Sequence, residues 1–130
     1  MLPTAIEVIT LFVEDFPATR AFYMSVFAPE VLFEDEAGAV LKFSGMAVNL
    51  LQITHAPELT IPIPVGTAQA GPRMLLTINV KSCDAACADL KSKGIALLNG
   101  PIDRPWGRRT AAFADPAGNV WEVAEELPAK

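Results

Sequence analysis

The chain holds a single histidine, His55, and only two cysteines, Cys83 and Cys87. The first count excludes a metal centre built from several imidazoles, and the second excludes a disulfide framework. Positive charge is also scarce, with 10 basic residues against 15 acidic ones and a formal charge of -5. Such a chain lacks the electrostatic footprint for nucleic acid or anionic lipid, and a neutral or cationic small molecule fits it better as a partner. No apolar run approaches the length needed to cross a membrane, and MLPTAIEVITLFVEDF lacks the basic leader and long apolar core of a signal peptide. A cytoplasmic location, with no membrane partner, is expected.

What is present is apolar enough to fold. At 130 residues and 52% hydrophobic, the chain can bury a core without disulfides or structural metal, so residues 1–130 are read as one domain. That domain is written twice. In the first copy, the β-branched run Ile6–Val13 reads as a strand, and Asp15 caps a helix with Pro17 in its first turn. Phe22, Tyr23, Val26 and Phe27 give the helix its apolar stripe, and Ala28-Pro29 ends it. Strands are expected at Val31–Phe33, Ala39–Phe43 and Met46–Ile53.

The second copy repeats this order. Met74–Val80 reads as a strand, Ser82 as a cap, and Cys83, Ala86, Cys87 and Leu90 as one helical stripe that Gly94 stops. The cysteines therefore read as small core hydrophobes. Strands are expected at Ile95–Leu98, Arg109–Phe113 and Val120–Ala124, with DPAGN as a tight turn before the last. Val13 and Val80 differ by 67 (80 - 13), Gly45 and Gly118 by 73 (118 - 45). The six extra residues fall in NGPIDRPWG, so residues 99–107 are expected to be an elaborated loop. Module one spans about residues 5–53 and module two about 73–126, joined by a Pro- and Gly-rich linker over 54–72.

Side chains alternate across a strand, so parity separates the faces. One parity is oily throughout: Ile9, Leu11 and Val13, Val48 and Leu50, Leu76, Ile78 and Val80, Trp121 and Val123. The other mixes Val8, Thr10 and Phe12, Ala47, Asn49 and Leu51, Leu75, Thr77 and Asn79, Val120, Glu122 and Ala124. A mostly apolar face with a few polar groups is the composition of a ligand cavity.

The stretches VEDFPATRAFYMSVF, VKSCDAACADLKSKG and above all FADPAGNVWEVAE resemble the vicinal-oxygen-chelate superfamily, which includes glyoxalase I, extradiol dioxygenases and bleomycin-resistance proteins. The resemblance runs from Ile6 to Glu125. It implies an α+β fold of two βαβββ modules, forming a curled mixed sheet around a central cup with helices on the outer face. Metal-using members carry ligands at the start of the first strand and near the middle of the last strand of each module. The matching positions here are Val8, Asn49, Leu75 and Glu122. Two are aliphatic and one is an amide, so no metal and no other cofactor is expected, and His55 reads as an exposed residue. The resemblance then points to the resistance-protein branch, which binds a compound in the cup, often completed by a second subunit. A homodimer is expected.

The leading reading is metal-independent binding of a small, partly aromatic, neutral or cationic molecule. Glu122 and Asn49 would anchor it, with Thr77 beside them and Phe12, Leu51, Leu75 and Trp106 as walls. Around Trp106 in DRPWGRR, Arg104, Arg108 or Arg109 could meet a carboxylate or phosphate, and Arg109 is the one carried into the expected site. The alternative is a glyoxalase- or dioxygenase-like lyase or isomerase, with Glu122 as a catalytic general base for proton abstraction next to a carbonyl.

Overall fold

Asp15 begins the first helix by accepting the Ala18 N–H at 3.1 Å, with proline in the first turn, and α1 runs Phe16–Val26. In the computed structural model, which describes residues 1–129, the chain divides into two compact units, Met1–Gln69 and the part from Ala70 onward. The first unit holds β1 (Val8–Val13), α1, β2 (Glu30–Glu34), β3 (Gly38–Phe43) and β4 (Met46–Gln52), followed by the one-turn helix α2 (Pro57–Thr60). Its strands form one mixed sheet in the order β1-β4-β3-β2, with β1 and β4 parallel. Leu11, Val13, Leu41, Val48 and Leu50 are buried on the face that carries α1, whose own buried residues are Phe16, Thr19 and Tyr23. The oily parity is therefore the core of this module, as alternation requires.

The second unit repeats the plan with β5 (Leu75–Asn79), α3 (Cys83–Ser92), β6 (Asn99–Arg104), β7 (Arg108–Ala114) and β8 (Val120–Glu126), in the order β5-β8-β7-β6. Ser82 caps α3 by accepting the Ala85 N–H, and Cys83, Cys87 and Leu90 form its buried stripe. Both cysteines are free thiols. The fold is thus α+β, two four-stranded mixed sheets built from βαβββ units.

The repeat extends to the way each helix is fastened to its sheet. Gln52, at the end of β4, accepts the N–H of Phe16 at 3.0 Å, and Glu125, in β8, accepts the N–H of Cys83 at 2.8 Å. These pairs are separated by the same two offsets found in the sequence, 67 (83 - 16) and 73 (125 - 52). In each module a side chain of the last strand satisfies an orphan donor at the helix start, and so fixes where the helix lands on the sheet.

Two expectations need correction. Residues 95–98 are not a strand, and residues 99–104 are strand rather than loop. Pro101 cannot donate to a ladder, but β6 is an end strand paired only to β7, where a missing N–H is tolerated. The register shifts between Asn99 and Ile102, absorbing an extra residue as a bulge. Gly100 sits there at φ +91, and a Cβ would lie 2.4 Å from the Thr110 carbonyl oxygen, so the close approach demands glycine. Only Pro105–Gly107 remains as turn. The expected linker is not featureless either, since it carries α2 and short 3-10 turns at Ile53–His55 and Ala68–Ala70. No helix among the described residues is long and apolar enough to cross a membrane.

Candidate functional site

Residues directly paired across a sheet share a face, so strand register fixes which side chains stand together. In the first module, β1 and β4 pair Val8 with Ala47, Thr10 with Asn49 and Phe12 with Leu51, all on the face away from the buried core. Asn49 Nδ2 lies 3.4 Å from Thr10 Oγ1, with Phe12 and Leu51 half-buried beside them. In the second module, β5 and β8 pair Leu75 with Val120, Thr77 with Glu122 and Asn79 with Ala124. The Thr77 hydroxyl donates to Glu122 Oε1 at 3.1 Å. Each module thus presents one threonine on its first strand bonded to one polar residue on its last, framed by aliphatic neighbours. Parity placed these groups on a common face within each module, and the register agrees.

Around Glu122 the wall is small and apolar. Its β7 partner is Ala112, and its neighbours along β8 on the same face are Val120 and Ala124. Leu75 on the adjoining strand is 56% exposed, a large aliphatic surface beside a carboxylate. Trp106 lies in the turn between β6 and β7 and is 67% exposed, so its indole is not a buried anchor for that turn. Its ring takes the Arg104 guanidinium at 5.9 Å.

Arg109 does not join this set. It is paired with Glu125 in β8, which has the same helix-covered parity as Trp121 and Val123, and therefore stands on the opposite face from Glu122. Its guanidinium is held by Asp103, with Nε 2.6 Å from Oδ1, and by Asp84 of α3 at 3.2 Å. The Asp103 hydrogen bond and charge raise the arginine pKa further, and the same bond holds the Asp103 carboxyl below its ordinary value. This ion-pair network serves the sheet and helix of its own module. The arginines that do share the face of Glu122 are Arg104 and Arg108, direct partners across β6 and β7. The bulge in β6 that brings Arg104 opposite Arg108 leaves no periodic trace in the sequence.

The DPAGN turn is held by its own side chains. Buried Asp115 accepts the N–H groups of Ala117 and Asn119, both at 2.9 Å, and buried Asn119 returns its amide to Asp115 at 3.1 Å. The motif locks the turn that sets the register of β8, and hence which face Glu122 occupies.

A metal of the kind the resemblance invokes does not fit the residues present. Val8 and Leu75 offer no lone pair, Asn49 offers only an amide, and among the described residues no three His, Cys, Asp or Glu side chains come together as a ligand set. His55 is exposed in the segment after β4.

No curated protein matches the chain. Solved structures do. A glyoxalase/bleomycin resistance protein/dioxygenase from Nocardioides superposes with a TM-score of 0.85 at 23% identity, over 100% of this chain and 87% of that one. A glyoxalase-related enzyme from Fulvimarina pelagi gives 0.80 at 24% identity, over 95% and 89%. A lactoylglutathione lyase from Agrobacterium tumefaciens gives 0.76 at 24% identity, over 95% and 94%. These likenesses carry the fold. The family described as the Glyoxalase/Bleomycin resistance protein/Dioxygenase superfamily matches residues 5–123, nearly the whole chain, and the protein belongs to that superfamily, the vicinal-oxygen-chelate proteins.

Proposed function

We propose that this protein is a metal-independent small-molecule-binding member of its superfamily, of the bleomycin-resistance type, with the ligand held on the mixed polar and apolar sheet face. The observation that carries this reading is the pair of aliphatic residues, Val8 and Leu75, at positions where metal-using relatives need donors, while the neighbouring polar pairs Thr10–Asn49 and Thr77–Glu122 remain. A ligand group that donates hydrogen bonds, neutral or cationic, suits Glu122, and Phe12, Leu51 and Leu75 suit an aromatic or aliphatic body. The free, buried thiols Cys83 and Cys87 suit a reducing compartment, and we place the protein in the cytoplasm. The test is a titration of the protein with small aromatic amines, following tryptophan fluorescence and recovering the compound afterwards. Saturable quenching with unchanged compound is expected; a time-dependent product would favour an enzyme.

One observation supports that second reading. Glu122 Oε1 takes the Thr77 hydroxyl, whereas no protein group among the described residues bonds Oε2. A carboxylate held by one oxygen with the other open is arranged to take a proton, so a lyase or isomerase that abstracts a proton next to a carbonyl is the alternative.

A further inference from the structure

Arg104 and Arg108 are direct partners across the β6–β7 pair, on the same face of the second module as Glu122. Like charges placed directly opposite repel, and a chain with 15 acidic residues has carboxylates to spare for them. Neither arginine has one. Arg104 is held only by neutral groups, with Nε 2.9 Å from Thr110 Oγ1, Nη2 3.2 Å from Asn99 Oδ1, and one face of the guanidinium over the Trp106 ring. Arg108 Nη2 bonds the Ala124 carbonyl at 3.2 Å, and its Nε is buried with no hydrogen-bond partner. Glu126 faces Arg108 in register on β8 but forms no ion pair with it among the described residues. Arg109, one residue along on the other face, is paired with two aspartates.

A guanidinium fixed by neutral acceptors and an aromatic ring keeps its full charge and has N–H donors left over, which is the arrangement for binding a planar anion through paired hydrogen bonds. A second arginine directly opposite, also without a carboxylate partner, adds further N–H donors, and an anion shared by the two relieves their repulsion. We propose that Arg104 and Arg108 form a carboxylate-binding subsite at this end of the module face, and that the ligand carries a carboxylate as well as the group that meets Glu122. The inference rests on the binding function proposed above and names the second charged end of that ligand. Thr110 and Asn99 orient Arg104, and Trp106 shields one side of it.

The test uses the intact chain with benzoate and its neutral counterpart benzamide, by calorimetric titration at low ionic strength. Benzoate should bind saturably and at least about tenfold more tightly than benzamide. Arg104→Gln and Arg108→Gln should each weaken benzoate by about tenfold or more, and Arg104→Lys by less. Equal binding of benzoate and benzamide, or Gln variants that bind benzoate as the wild type does, would overturn the subsite. If the Gln variants do not fold, the wild-type protein decides the matter by NMR: the Nε–H signals of Arg104 and Arg108 should move on adding benzoate while that of Arg109 stays, and unmoved signals would overturn it. Amine binding that needs Glu122 but no carboxylate response would retain the proposed function and remove this inference. A carboxylate response without any amine response at Glu122 would do the reverse.

Discussion

Thr77 Oγ1 donates to Glu122 Oε1 across 3.1 Å between neighbouring parallel strands, and it does so from the face opposite buried Trp121. The two adjacent residues of β8 therefore do different work. Trp121 fills the core, and Glu122 stands half-buried among Val120, Ala112 and Ala124.

Substitution should separate them. Trp121→Ala opens a cavity beneath the helix and should cost ~3 to 5 kcal/mol in urea unfolding. Glu122→Gln keeps shape and the Thr77 contact, so stability should hold or rise slightly while ligand binding or turnover falls. An unfolded Glu122→Gln beside a tolerated Trp121→Ala would mean that the register of β8 is off by one residue.

A thiol prediction follows from α3. Burial pushes the Cys83 thiol up to about 12 from its ordinary 9.0, helped by neighbouring Cys87 and the charges of Asp84 and Glu125. The folded state thus keeps this proton where the unfolded chain loses it. That contribution to stability is complete below pH 9.0 and declines as pH rises from there toward about 12. Unfolding free energy measured across this window should fall less steeply in Cys83→Ala than in the wild type, and native Cys83 should resist iodoacetamide at pH 8 until urea is added. Rapid native alkylation of Cys83 would contradict its burial.

Much of this was legible in the sequence, and the gaps have physical causes. Asp15 and Ser82 announce their helices because capping is local chemistry, and the oily parity of Leu11, Val13, Val48, Leu50, Trp121 and Val123 announces the core because alternation is local geometry. The strand β6 was hidden by Gly100 and Pro101, which signal a loop unless a bulged end strand accommodates them. Ile95–Leu98 looked like a strand because a short apolar run gives no other clue. The face of Arg104 is hidden for the same reason, since it depends on the β6–β7 register that follows the bulge, whereas Arg109 takes its face from the unbroken pairing of β7 with β8.

Gly100 tests that bulge. Its Cβ would meet the Thr110 carbonyl and Ala111 at φ +91, so Gly100→Ala should destabilise the protein by ~2 kcal/mol or more in thermal or urea unfolding. A neutral outcome would show that β6 is not seated on β7 as described.

Each sheet ends in strands with one open edge, β1 and β2 in the first module and β5 and β6 in the second, and open edges favour pairing with another copy. A two-fold homodimer is expected. Sedimentation velocity at micromolar concentration should give a dimer, and a monomer at every concentration tried would count against it.

Metal independence is the claim on which the functional reading turns. The direct measurement is elemental analysis of the protein purified from medium supplied with zinc, iron, nickel and manganese. With aliphatic Val8 and Leu75 at the positions that the resemblance matches to metal ligands, less than stoichiometric metal should remain after gel filtration. One tightly held ion of any of these metals per chain would contradict the reading.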